Sequence, residues 1–171
     1  CPVIAGVDDI PGDQGWQVNV SWAACRLDAW PDEAVETYSL WRALGDGGAK
    51  SLPGDARLLD LVDFEPGLKG RVLRLDAVPA KTLYWEYLGE VPARHLPSYA
   101  QPLPTLFNLT PESAGYHAFQ VVAHAPTMAG AGYWISEPDT GRSIDNLAPV
   151  MPVMLAREQV YDPLRLEISW E

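Results

Sequence analysis

Three histidines are the side chains best suited to proton transfer or metal ligation in this chain, and their spacing argues against a shared site. His117 and His124 lie an odd number of residues apart in one apolar, β-branched run. Regular alternation along a strand sends them to opposite faces, so they do not meet at one metal without a bulge. His95 stands between Pro92 and Pro97, in a stretch that reads as an exposed loop. The common nucleophile and metal frameworks are missing as well. There is no Gly-x-Ser-x-Gly elbow, no His-Glu-x-x-His helix, no phosphate-binding glycine loop and no cysteine knuckle. With no nucleophile beside a base, no catalytic residue is assigned and the chain is expected not to be an enzyme. Trp30, Trp41, Trp85 and Trp134 offer a different chemistry, flat apolar faces on which sugar rings stack. The competing expectation is that they fill a core. Asn19-Val20-Ser21 and Asn108-Leu109-Thr110 match the glycosylation sequon, but the first lies in a strand-like run and the pattern is common by chance.

Any such site needs a scaffold, and the composition describes one. Of 171 residues, 47% are hydrophobic and 20% charged, with seven Trp and seven Tyr, a mixture that folds. Sixteen Pro and fourteen Gly are scattered along the chain, the punctuation of many short strands joined by turns. The length fits one elaborated domain, or one domain and a fragment. Twelve basic against twenty-three acidic residues give a net charge of −11, which repels a phosphate backbone and excludes nucleic acid as a partner. No apolar run approaches the roughly 18 to 20 residues that cross a bilayer, so no transmembrane segment is expected. The N-terminus lacks the basic-then-apolar pattern of a signal peptide, so an exported chain has already lost its leader.

The first elements read as a hairpin. Val3, Ala5 and Val7 alternate, Asp8 to Gly15 supplies turn chemistry, and Val18, Val20 and Trp22 alternate back. A turn centred near Asp13 sets Cys1 opposite Cys25. Cross-strand Cβ atoms lie about 4.5–5.5 Å apart, close to disulfide geometry. Such a bond implies an oxidising compartment. A free Cys1, or a Cys1 that carries the lipid anchor of a mature lipoprotein, is the alternative. A third strand is expected over Thr37 to Ala43, with large side chains on both faces.

Between about 45 and 82 the texture changes. Leu58, Leu59, Leu61, Val62 and Phe64 fit one helical face, whereas Arg71 to Leu75 alternates as a strand does. Both readings stay open, and the segment is expected to be an insertion between neighbouring strands. Further strands are expected over Leu83 to Gly89, Ser98 to Leu103, His117 to His124 and Gly132 to Ser136, before a linker through Asp145 to Pro149. The last residues then repeat the opening. Pro152-Val153-Met154-Leu155-Ala156, followed by Leu164 to Trp170, parallels Pro2-Val3-Ile4-Ala5-Gly6, followed by Gln17 to Trp22.

Val18-Asn19-Val20-Ser21-Trp22, Tyr38-Ser39-Leu40-Trp41-Arg42, Trp85-Glu86-Tyr87-Leu88-Gly89, Leu109-Thr110-Pro111 before Tyr116, and Phe119, Val121 and Ala123 together resemble the fibronectin type III-like, immunoglobulin-like β-sandwiches of exported bacterial multidomain and surface proteins. Asp9 to Gly15 and Ser143 to Pro149 match a subgroup of such exported proteins. The resemblance covers residues 2–44 and 83–150. It implies an all-β sandwich over residues 1–150 with the insertion at 45–82, and an extra hairpin at 151–171 that begins a second domain or exchanges strands. The phenolic corner is displaced, because His117 stands where the family's Tyr is usual.

In that fold the first turn and the end of the last strand share a pole, which brings Asp8, Asp9 and Asp13 toward Asp145 and Asn146. Asp9, Asp13 and Asp145 are therefore the candidate calcium ligands, although turns use the same residues for other reasons. The implied role is a secreted or cell-surface, non-catalytic structural module. Its protein partners, copies of itself or adjacent domains, would be joined through Leu164, Leu166, Ile168 and Trp170. The alternative is a glycan- or protein-binding adhesion module that uses the aromatic residues and the insertion.

Overall fold

A computed structural model describes residues 1–44, 56–78, 81–128, 132–147, 154–161 and 164–170. The protein is all-β. In β2 (Gln17–Ala23), Val18, Val20 and Trp22 are fully buried while Asn19 and Ser21 are partly exposed, the period-two pattern of a strand with one face on a core. β2 is central in a three-stranded antiparallel sheet, between β1 (Val3–Asp9) and β7 (Ser98–Pro104). Val3 faces Ala23 and Ile4 faces Trp22. One bulged residue, Ala5, then shifts the register so that Gly6 meets Ser21.

The second sheet has seven strands. Its order is β10 (Asp139–Arg142), β8 (Tyr116–His124), β3 (Thr37–Leu44), β6 (Lys81–Pro92), β5 (Val72–Val78) and β4 (Arg57–Leu58), with β9 (Tyr133–Ile135) also on β8. All pairings are antiparallel except β4 with β5. Tyr38 and Leu40 of β3 and Phe119, Val121 and Ala123 of β8 pack against Val18, Val20, Trp22, Tyr99 and Leu103 of the first sheet. Two sheets thus enclose one core. At one edge Gly141 of β10 lies so close to Val7 of β1 that a Cβ there would strike the valine carbonyl and side chain.

The other face of the large sheet is covered too. Trp41, Val72, Trp85 and Val122 pack there under Leu59, Leu61, Phe64 and Leu68, which lie between β4 and β5. Nearly every residue of β3 is consequently buried, which accounts for the large side chains on both its faces. The described part of the expected insertion is therefore structural: it widens the sheet by two strands and lays a third layer over it. The helical reading of Leu58 to Phe64 does not hold. That stretch holds the end of β4 and a 3₁₀ turn at Leu61–Asp63, whose Val62 N–H donates to the Asp60 side chain. Residues 45–55 lie outside the described ones. β3 and β6 pair directly, as neighbours across that segment.

Cys1 and Cys25 form a disulfide, with their Cα atoms 4.7 Å apart. A sulfur in a disulfide is unavailable to a lipid thioether, so the two readings of Cys1 exclude one another. β11 (Met154–Tyr161) and β12 (Leu164–Trp170) form a separate two-stranded antiparallel sheet. Among the described residues no helix is long and apolar enough to cross a membrane.

The bridge closes a loop across a sequence separation of 24. Chain entropy sets its contribution at about 3.5 kcal/mol. Cys1→Ser, at an exposed position, is expected to lower the unfolding free energy by about that amount in urea titrations without reductant, and reduction of the parent chain should reproduce the loss.

Candidate functional site

The acidic pole is built by the turn after β1 and the segment after β10. Asp9 accepts from the Ile144 N–H (2.7 Å) with one oxygen and from Asn146 Nδ2 (2.7 Å) with the other. Asn146 Oδ1 in turn accepts from the N–H groups of Gly12 (2.6 Å) and Asp13 (3.1 Å). Asp13 caps the Gly15 N–H at 2.8 Å, and Asp145 accepts from Leu147 at 3.3 Å. Both oxygens of Asp9 and one each of Asp13 and Asp145 are thus turned onto N–H donors. Among the described residues no three His, Cys, Asp or Glu side chains converge so as to hold a metal. Asp9 and Asn146 meet as a clasp that joins the first turn to the segment after β10.

A second segment is tied in beside it. Asn108 Oδ1 accepts from the Trp16 N–H (2.6 Å) and from Ser143 Oγ (2.7 Å), and Ser143 Oγ also pairs with Thr105 Oγ1 at 2.8 Å. His117 completes this end. Its Nε2 accepts from the Leu106 N–H (2.9 Å) and its Nδ1 donates to the Gly115 carbonyl (2.9 Å). The imidazole thereby bonds two backbone groups of the segment that leads into β8. Tyr116 points outward, its ring beneath the Arg142 guanidinium at 5.3 Å.

The opposite pole contains a buried carboxylate that sequence reasoning did not single out. Asp28 is inaccessible to solvent and accepts from Tyr99 OH (2.6 Å), Tyr38 OH (2.9 Å) and the His95 N–H (3.0 Å). Tyr38 OH accepts from the Cys25 N–H, and His95 Nδ1 donates to the Asp28 carbonyl at 2.7 Å. That last bond, to a backbone acceptor, favours the protonated ring and raises the His95 pKa. Burial and the neighbouring carboxylate raise those of Tyr38 and Tyr99, so both phenols remain donors. The rings of Trp22, Tyr38 and Tyr99 pack on one another with centroids 5.0–5.8 Å apart.

On the outer face of the large sheet, Arg74 is buried between the indoles of Trp41 and Trp85, 5.2 and 5.4 Å from their centroids. Its Nη2 donates to Gln120 Oε1 and, at 3.3 Å, to Asp76. Burial lowers its pKa while Asp76 opposes the change. A cleft of about 370 Å³ opens beside it, rimmed by Leu58, Leu75 and Ile135. Nearby, Trp41 Nε1 donates to Ser39 Oγ (2.7 Å), which leaves the serine proton for His124 Nε2 (2.7 Å). Phe64 stacks on the imidazole at 3.8 Å. Burial, and then the charge of Arg74, pull the His124 pKa down to about 4. A base so weak, on a serine with no solvent exposure, is poorly matched to activating a nucleophile at neutral pH. The two histidines of β8 do face opposite sides of the sheet: His117 lies with Phe119, His124 with Val122.

Of the four tryptophans considered for a sugar platform, Trp41 and Trp85 are buried, Trp134 packs against the main core and only Trp30 is exposed, at 81%. Trp16, not considered for that role, is 55% exposed. The strand pairing sets Leu164, Leu166, Ile168 and Trp170 opposite Tyr161, Gln159, Arg157 and Met154, while their side chains lie outside the described residues. Comparison of the chain with protein-family models, curated proteins and solved structures found no match.

Asp28→Ala leaves two buried phenols without an acceptor. It should cost about 3 kcal/mol or more of unfolding free energy, against little for an exposed control such as Asp32→Ala. His124 should make stability depend on pH. As pH falls, the unfolded chain protonates near its ordinary value of about 6.5, before the folded one does. Its contribution is whole above pH 6.5 and lost progressively down to about 4. The lowered pKa of His117 acts in the same direction. Urea midpoints measured across this range should fall in the parent chain and fall less in His124→Gln.

Proposed function

We propose that the protein is a non-catalytic structural module of a secreted or cell-surface assembly, with a fibronectin type III-like sandwich over residues 1–150, and that its hairpin within residues 151–171 is the joining device. The observation that carries this reading is a repeated register. In the first hairpin Ile4 faces Trp22, Ala5 is bulged and Gly6 faces Ser21. In the last, Met154 faces Trp170, Leu155 is bulged and Ala156 faces Ser169. The match continues, with Val7 opposite Val20 and Asp9 opposite Val18 in one, Arg157 opposite Ile168 and Gln159 opposite Leu166 in the other. A bulge at the same place in two ladders of similar sequence supports a second copy of the same building unit.

In the first copy β2 has β7 on its far edge, and that pairing buries Trp22 between Tyr38 and Tyr99. β12 as the counterpart of β2 calls for an equivalent strand, which a further domain or a neighbouring subunit would provide through main-chain hydrogen bonds. A disulfide between Cys1 and Cys25 supports an oxidising location outside the cytoplasm. Sedimentation of the full chain and of a chain lacking residues 151–171 tests the joining role. Loss of association on truncation is expected, and an unchanged mass distribution would remove the hairpin from it.

A second reading, a glycan- or protein-binding module, is favoured by the exposed Trp30 and the apolar rim of the cleft beside Arg74. Glycan-array binding lost in Trp30→Ala supports it, and binding that survives the substitution counts against an aromatic platform.

A further inference from the structure

We propose that the pocket lined by His124, on the outer face of the large sheet, binds a small uncharged molecule with a ring-sized apolar body and one hydrogen-bond acceptor. Such a site is independent of the assembly role and of the hairpin.

The pocket has a volume of about 230 Å³. A dry cavity of about 150 Å³ holds benzene and drug-sized ligands take about 300 Å³ or more, so the space suits one ring with a short substituent. Its walls are mostly apolar: Leu61, Phe64 and Pro66 come from the segment between β4 and β5, Pro126 and Met128 from the chain after β8. Polar side chains are few. Thr37 Oγ1 is committed, donating to the Val91 carbonyl at 3.1 Å, and Glu36 is an exposed carboxylate. That leaves the imidazole of His124, which is only 5% exposed and lines the pocket.

The chemistry of that imidazole is set from behind. An indole N–H can only donate, so Trp41 Nε1 uses the Ser39 oxygen as its acceptor, and the serine proton goes to His124 Nε2. A neutral ring that accepts at Nε2 has its own proton on Nδ1. The ring is neutral at neutral pH, because burial and then the charge of Arg74 hold its pKa at about 4. Among the described residues Nδ1 has no hydrogen-bond partner, yet it is not sealed from solvent, and the pocket is the open space that the imidazole lines. Phe64, stacked on the ring at 3.8 Å, fixes its plane. The result is one oriented N–H donor in apolar surroundings, the kind of lone polar group that sets the pose of a small ligand.

Charge narrows the class further. A cation beside the imidazole would meet Arg74, whose charge already opposes protonation of that ring. An anion would meet the carboxylate of Glu36. A carbonyl oxygen takes the Nδ1 proton without either repulsion.

The test uses the full chain and four probes that share a phenyl ring: acetophenone, ethylbenzene, benzylamine and benzoate. Long-range proton–nitrogen spectra of the histidine rings should show His124 with its proton on Nδ1, and acetophenone should shift that signal saturably. Ethylbenzene lacks the acceptor and should bind about 3- to 10-fold more weakly. Benzylammonium and benzoate should bind more weakly than acetophenone. Met128→Trp narrows the pocket from an exposed wall position without touching the Trp41–Ser39–His124 relay, and should abolish the acetophenone shift while the Nδ1 proton stays in place. A His124 proton on Nε2, no saturable shift with acetophenone, ethylbenzene that binds equally well, preference for either ion, or binding that survives Met128→Trp would each overturn the proposal.

Discussion

The carboxylate of Asp28 is the constraint on which the organisation of this fold depends. A charge removed from water is tolerated only when donors surround it, and here they come from β3, from β7 and from the loop before β7. Because Tyr38 and Tyr99 must both reach it, their rings are held where Trp22 can pack against them. One acid thereby fixes the distance between the sheets, and the Cys25 N–H joins the same network through Tyr38. The apolar core supplies most of the burial; the polar knot sets its register.

The large sheet faces a harder problem, because it is covered on both sides. Its outer face contains Ser39, Arg74, Gln120 and His124, none of which is at ease out of water. Ser39 and His124 satisfy each other, with Trp41 donating to the same hydroxyl. Arg74 is flanked by two indoles and tied to Gln120 and Asp76. Across the edge nearer the clasp, Arg42 reaches from the large sheet to the Pro104 carbonyl of the small one (2.7 Å), and Glu86 holds it at 2.6 Å while also meeting Arg71 at 2.9 Å. Arg42 has its carboxylate on the adjacent strand β6, whereas Arg74 has Asp76 on its own strand and reaches across β6 and β3 to Gln120 on β8.

Period-two patterning made the strands of the inner core legible, because Val18, Val20 and Trp22, or Phe119, Val121 and Ala123, alternate strictly with residues of the other face. The opposed directions of His117 and His124 followed from the same rule. The third layer left only a trace, in the large residues on both sides of Thr37 to Leu44, since alternation vanishes when both faces are dry. β10 left none: Asp139-Thr140-Gly141-Arg142 is an edge strand whose central position is emptied for Val7. Asp28 was hidden because an acid in a loop looks the same whether it is solvated or caged. At Asp9, Asp13 and Asp145 the residue types alone did not distinguish a cation site from a clasp, since a cluster of oxygens serves a cation or a set of N–H groups equally well until donors are located.

The position of the disulfide also determines how the domain would carry mechanical load. Tension entering at Cys1 crosses directly to Cys25, so the residues between them, with all of β1 and β2, are bypassed by a covalent shortcut. The pull is delivered instead to the turn beside Asp28. At the far end the outgoing chain leaves through Asn146, which grips the turn after β1. β1, an edge strand, is thus spared a pull applied at Cys1, because the covalent bond transmits it past the strand.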